Sequence, residues 1–94
     1  MSQSVVRLHL IISGLVQGVG FRTFVVRHGA RLGLTGWVRN TEDGDVEVTA
    51  EGPRASLDQF LAACRRGPSS ARITYVEEDR SEATGEFRGF RITW

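Results

Sequence analysis

Ninety-four residues, 40% hydrophobic and 24% charged, suit one soluble globular domain with an adequate core and exclude a disordered chain. A net charge of +1 advertises no polyanion partner such as bulk nucleic acid, and no run approaches the ~18 apolar residues of a membrane span or the pattern of a signal peptide. Cys64 is the only cysteine, so no intrachain disulfide is expected and a reducing, cytoplasmic setting fits; two histidines without ligand spacing suggest no metal, and twelve arginines without a lysine remove Schiff-base chemistry.

In chain order, Val6, Leu8, Leu10 and Ile12 alternate with Arg7, His9 and Ser13, the period of a half-buried strand over residues 5–13. His9 falls on its polar face. Phe21, Phe24, Val25, His28 and Leu32 then recur on one face of a helix that ends at Gly33, with His28 read as a packed residue. Thr35 to Asn40 predicts a second strand. Thr41-Glu42-Asp43-Gly44 is a hairpin signal, and Val46, Val48 and Ala50 alternate along a third strand. Gly52-Pro53 breaks that strand, with proline expected at the first position of a second helix. Leu57, Phe60, Leu61 and Cys64 form the buried stripe of this helix. Ile73, Tyr75 and Val76 mark a fourth strand, residues 77–86 read as a polar connection without a core signal, and Phe90, Ile92 and Trp94 alternate as a short last strand.

The order β-α-β-β-α-β with one extra strand predicts a ferredoxin-like α/β sandwich: an antiparallel sheet with both helices on one face, built as a single domain over residues 1–94. In a split β-α-β unit the first and second strands are parallel, with the third between them. Their C-terminal ends share one edge of the sheet, about 10 Å apart. Asn40 is therefore expected beside the loop that follows the first strand.

That loop, Gly14-Leu15-Val16-Gln17-Gly18-Val19-Gly20-Phe21-Arg22, is where chemistry concentrates. Its glycines free the backbone to curl its amides around an anion, the helix start adds partial positive charge, and Arg22 adds a planar fork of donors. An oxyanion pocket for a phosphoryl group and an ordinary connecting turn both fit the spacing. Neither a Walker A loop nor a dinucleotide fingerprint is present.

Ile12-Ser13-Gly14-Leu15-Val16-Gln17-Gly18-Val19-Gly20-Phe21-Arg22 resembles the first signature of the acylphosphatases. Gly36-Trp37-Val38-Arg39-Asn40, with Gly44, Val46 and Gly52, resembles the second. The resemblance covers essentially the whole chain. It implies cofactor-free and metal-free hydrolysis of the carboxyl–phosphate bond of acyl phosphates to a carboxylate and inorganic phosphate. It also implies roles: Arg22 and the backbone of Val16, Gln17, Gly18, Val19, Gly20 and Phe21 hold the phosphoryl group, and Asn40 positions the attacking water. Gln17 is expected to brace the loop and Thr41 to hydrogen-bond near Asn40, while Arg39 points to the other face as a solvated charge. The expected partners are small-molecule acyl phosphates and inorganic phosphate, with no nucleic acid and no membrane, and the expected form is a monomer.

Two other readings share this fold. One is a non-catalytic phosphate- or carbamoyl-phosphate-binding module. The other is RNA binding, since Arg88-Gly89-Phe90 echoes an RNA-binding pattern, although on the last strand and without further stacking aromatics.

Overall fold

A computed structural model describes residues 4–94. Seven elements follow in order: β1 (Val5–Leu15), α1 (Phe21–Arg31), β2 (Thr35–Asn40), β3 (Val46–Pro53), α2 (Arg54–Arg66), β4 (Arg72–Glu82) and β5 (Phe90–Ile92). Across the sheet the strands run β4-β1-β3-β2-β5. Strand β3 lies antiparallel between β1 and β2, as the split β-α-β unit requires. The last strand departs from the all-antiparallel expectation, because β5 pairs parallel to β2.

Period-2 alternation decides what is buried. Leu8, Leu10 and Ile12 of β1, Val38 of β2, and Val46, Val48 and Ala50 of β3 point to one face. Against them pack Phe21 and Val25 of α1 and Leu57, Phe60 and Cys64 of α2, forming one core. Cys64 is fully buried, and burial pushes its thiol up to about 12, so it behaves as a small apolar residue. Among the described residues no helix is long and apolar enough to cross a membrane.

Several element ends differ from the sequence expectation. The first strand continues past residue 13 to Leu15 through a register shift at Ser13/Gly14. Gly14 belongs to this strand rather than to the loop: a Cβ there would run into the Arg72 carbonyl oxygen of β4. Pro53 ends β3 and serves as the N-cap of α2, one residue before the first helical position. Trp94 lies beyond β5.

The largest difference is β4, which continues through residues 77–82 where a loop was expected. Its register with β1 is continuous from Ile12↔Val76 to Val6↔Glu82. It is an edge strand, so neither of its faces is deeply buried and no apolar alternation is required. Its charges blunt the open edge. Two of them also tie it to α2: Arg80 donates to Asp58 at 2.8 Å, and Arg65 reaches Glu78 at 3.4 Å.

Leaving β4 at one edge, the chain must reach β5 at the other. Residues 83–89 form a strap over the helix-free face, and a latch holds it there. Glu51 of β3, its side chain 2% exposed, accepts from the Thr84 and Gly85 amides at 2.9 and 3.0 Å and from Arg7 Nε at 2.7 Å. Arg7 extends to Glu86 at 2.6 Å and sits 5.0 Å over the Phe87 ring. Burial alone raises the Glu51 carboxyl, but the two amides and the guanidinium overcome this and hold it below the usual carboxylate range.

Candidate active site

Strand β1 delivers the chain into a loop whose root is sealed in the core by Val16, 1% exposed. Gly18 and Gly20 adopt φ of 75° and 76°, the left-handed region that L side chains resist. A Cβ on either would meet nothing within 4 Å, so the demand for glycine is conformational rather than spatial.

Helix α1 starts directly after Gly20. It has no side-chain N-cap and no acidic residue in its first turn. The first amides of a helix lack intrahelical partners, and among the described residues no side chain caps them. The positive end of α1 is thus left available to an anion from outside.

Gln17 fixes the loop. Its Nε2 donates to the carbonyl oxygens of Thr41 and Asp45, both at 2.9 Å, tying the loop to the β2–β3 hairpin. On the other side Ser70 Oγ donates to the Val19 carbonyl at 3.1 Å. Thr41 spends its hydroxyl on the hairpin, accepting from the Asp45 amide at 3.1 Å, and does not line the recess beside Asn40.

Between this loop and the end of β2 lies a recess of about 110 Å³, lined by Val16, Gly18, Gly20, Phe21, Arg22, Thr23, Asn40, Ile92 and Trp94. The volume suits a small anion and falls well short of the ~300 Å³ at which pockets for larger ligands begin. Arg22 supplies its only charged side chain. Among the described residues Arg22 makes no ion pair, and its guanidinium sits 5.0 Å from the centre of the Trp94 ring. Asn40 brings a half-buried side chain whose Oδ1 is buried without a hydrogen-bond partner. An unpaired buried carbonyl oxygen costs about 1–3 kcal/mol, so a donor supplied by a bound molecule is the natural means of satisfying it.

Arg22 and Asn40, distant in sequence, therefore meet at one recess, together with Val16, Gly18, Gly20 and Phe21 of the loop. Gln17 and Val19 do not line it: Gln17 faces the hairpin, and Val19 packs against the core. The sequence reading missed Thr23, Ile92, Trp94 and the Ser70 brace. Ile92 and Trp94 arrive through the parallel pairing of β5 with β2, which periodicity does not reveal. Thr23 was legible in principle, because it sits in the first turn of the predicted helix.

Among the described residues no other titratable side chain lines the recess. His9 pairs with Glu47 at 2.7 Å on the helix-free face, where Arg39 also bonds Glu47 at 2.7 Å rather than standing free in solvent. His28 rests on Phe24, ring centroids 4.3 Å apart; burial, with Arg31, Arg66 and Arg27 nearby, lowers its pKa below the ordinary histidine value. Among the described residues the recess holds one permanent cation, one orienting amide, the Thr23 hydroxyl and a ring of backbone, with no carboxylate, histidine or cysteine side chain in its lining.

The acylphosphatase family model matches residues 8–92. An acylphosphatase of Moorella thermoacetica is 51% identical over 89 residues, covering 95% of this chain and 95% of that protein. The crystal structure of the Bacillus subtilis acylphosphatase superposes with a TM-score of 0.91 at 36% identity, covering 95% of this chain and 99% of that one. HypF of T. kodakarensis contains the same fold within a longer chain: TM-score 0.80, 32% identity, 93% of this chain and 12% of that chain. With the family model spanning nearly every described element and curated relatives matching from end to end, this chain belongs to the acylphosphatase family.

Proposed function

We propose that the recess between the loop, Arg22 and Asn40 is where the family's reaction takes place, the metal-free hydrolysis of an acyl phosphate. Arg22 and the backbone amides of residues 16–21 hold the phosphoryl oxygens, and Asn40 Oδ1 accepts a hydrogen bond from the attacking water. The observation that carries this reading is the buried, unpartnered Asn40 Oδ1 on the same small recess as an unpaired arginine and an uncapped helix start.

The residue inventory matches the chemistry. Water oxygen forms a bond to phosphorus while the phosphorus–oxygen bond to the acyl group breaks. The carboxylate leaves with the electron pair, and the water proton passes to a phosphoryl oxygen. A carboxylate leaves without protonation, and the mixed anhydride is already activated. The protein supplies position and charge stabilisation, which Arg22 and fixed amides provide without reorganising. The amide of Asn40 is a poor base, so its part is to aim the water in line.

Residues 1–94 act in this reading as one domain and as a monomer in the cytoplasm, on small-molecule acyl phosphates, without nucleic acid or membrane as partners. Support comes from the end-to-end match to free-standing relatives and from the lone, buried cysteine. A second reading, a phosphate- or carbamoyl-phosphate-binding module, draws support from the longer HypF chain that contains this fold.

Benzoyl phosphate hydrolysis with EDTA present, comparing wild type with Asn40→Ala, separates the two. Turnover in the wild type that falls by roughly 10²–10³ in the variant is the expected result. No wild-type turnover, with inorganic phosphate still bound, transfers the recess to the binding-module reading.

A further inference from the structure

The helix-free face carries a second, larger cleft of about 310 Å³, lined by Gly36, Trp37, Glu86, Phe87, Arg88, Arg91 and Thr93. It lies between the strap and the β2–β5 pair, on the opposite side of the sheet from the Arg22 recess. Its volume reaches the lower end of the range for small-molecule sites.

The lining has a definite chemistry. Trp37 and Arg91 are register partners on β2 and β5, so they stand side by side on this face. Trp37 and Phe87 are half-buried aromatics. Arg88 and Arg91 form no ion pair among the described residues. The one carboxylate in the lining, Glu86, bonds Arg7 at 2.6 Å; Arg7 is shared with Glu51, so this trio keeps one net negative charge, which the two guanidinium groups of Arg88 and Arg91 outnumber. Two uncommitted guanidinium forks beside an indole suit a ligand that joins a planar ring to a phosphate.

We propose that this cleft is a second binding site, taking a nucleoside monophosphate with its base against Trp37 and its phosphate between Arg88 and Arg91. A single nucleotide fits better than a strand of nucleic acid. On the same face β4 places Glu77 and Asp79, opposite Ile11 and His9, where a continuing phosphate backbone would be repelled. Phe90, the aromatic of the Arg88-Gly89-Phe90 sequence, faces the core and packs 5.7 Å from Phe60, so it offers no platform for a second base. The cleft also shares β5 and the residues after it with the recess: Arg91 and Thr93 line one, Ile92 and Trp94 the other.

The chain has two tryptophans, one in each site, which makes the test direct. Trp94→Phe leaves Trp37 as the sole indole emitter, and this variant is titrated with AMP, with adenosine and with inorganic phosphate. The expected result is saturable quenching by AMP. Binding is weakened about tenfold or more when the phosphate is missing, or when Arg88→Ala and Arg91→Ala are combined. AMP affinity is expected to be unchanged in Arg22→Ala, which alters only the recess. Calorimetric titration of the wild type with AMP, and of the Arg88→Ala/Arg91→Ala variant, gives the same comparison without the reporter substitution. A linear, non-saturating response overturns the proposal, as does an affinity unchanged in the double variant. AMP binding that is lost in Arg22→Ala and kept in the Arg88→Ala/Arg91→Ala variant also overturns it, because it assigns the nucleotide to the Arg22 recess.

Discussion

The two ends of the sheet treat polar groups in opposite ways. At one end, where Asn40 pairs in register with Val46, the Asn40 side-chain carbonyl oxygen and the first amides of α1 have no side-chain hydrogen-bond partner and the Arg22 guanidinium no ion pair among the described residues. At the other end, where Thr35 pairs with Glu51, a buried carboxylate takes three strong donors and its arginine partner takes a second carboxylate. In the proposed function the first end holds donors and an acceptor open for a substrate. The second has no open valence, and its role is to hold the strap and, through it, β5. Substitutions at the two ends should therefore separate activity from stability.

The largest effect is expected at the open end. Arg22→Ala should lower kcat for benzoyl phosphate by about 10²–10³, about 2.7–4 kcal/mol of transition-state stabilisation, with the melting temperature nearly unchanged. A variant that melts far earlier than wild type would make Arg22 a structural residue and end the contrast.

At the closed end the expectation reverses. Glu51→Gln removes the charge but not the bulk, and points amide hydrogens at one of two backbone donors, the Thr84 or the Gly85 N–H, which bond different carboxylate oxygens. It should cost about 2–3 kcal/mol, below the usual figure for a broken buried pair because Arg7 keeps some contact with water. That corresponds to a fall of roughly 10–20 °C in Tm. Turnover measured well below the new Tm should stay near wild type.

The same carboxylate sets an acid dependence. Its folded pKa lies below the ordinary 4.5, and that of Glu47, where His9 and Arg39 outweigh the cost of burial, does too. The unfolded chain then binds more protons than the folded one in this window. Both groups contribute stability that is complete above pH 4.5 and lost as pH falls through their folded values. Urea midpoints should drop on acidification in the wild type and less steeply in Glu51→Gln. Parallel slopes would show that Glu51 carries no such linkage.

Between the extremes sits Gln17, which belongs to the open end but is itself fully engaged. Its two acceptors keep other donors, since Gly44 N–H reaches the Thr41 carbonyl and Thr41 N–H the Asp45 carbonyl. Gln17→Ala therefore strands no buried group and should cost about 1–2 kcal/mol in stability. The loosened loop should bind phosphate about tenfold more weakly. Unchanged phosphate affinity in this variant would show that the loop holds its shape without the brace.

How much of this was legible in the sequence follows the same division. The core strands and both helices show in the alternation of Val6, Leu8, Leu10 and Ile12 and in the stripe from Phe21 to Leu32, because burial on one face imposes a period. Asn40 could be set beside the loop because topology alone puts the ends of β1 and β2 on one edge. Residues 77–82 could not be read as strand: an edge strand held by backbone pairing to β1 needs no apolar period. Glu51 read as one more polar residue on the alternating face of β3, although it is 3% exposed. Its partners lie 33 and 34 residues further on, in a strap that carries no pattern of its own. Local periodicity registers burial against a core. It does not register a buried charge whose partners come from a distant segment.

The smallest effect is expected where the segment after β5 touches the open end, at Trp94. The residue is 91% exposed, so its removal leaves no cavity and little stability is at stake. What it contributes is a ring face for the Arg22 guanidinium at 5.0 Å, an attraction worth about 0.5–1 kcal/mol at an exposed site. A face contact leaves the edge N–H donors of the guanidinium available to phosphoryl oxygens, so Trp94 narrows the places Arg22 can occupy without consuming its hydrogen bonds. Trp94→Ala should then raise KM for benzoyl phosphate by about two- to fivefold with kcat held, and Trp94→Phe should recover most of the difference. If Trp94→Ala matches wild type in both constants, Arg22 is positioned by the α1 backbone alone, and the closed end has no hold on the open one through this ring.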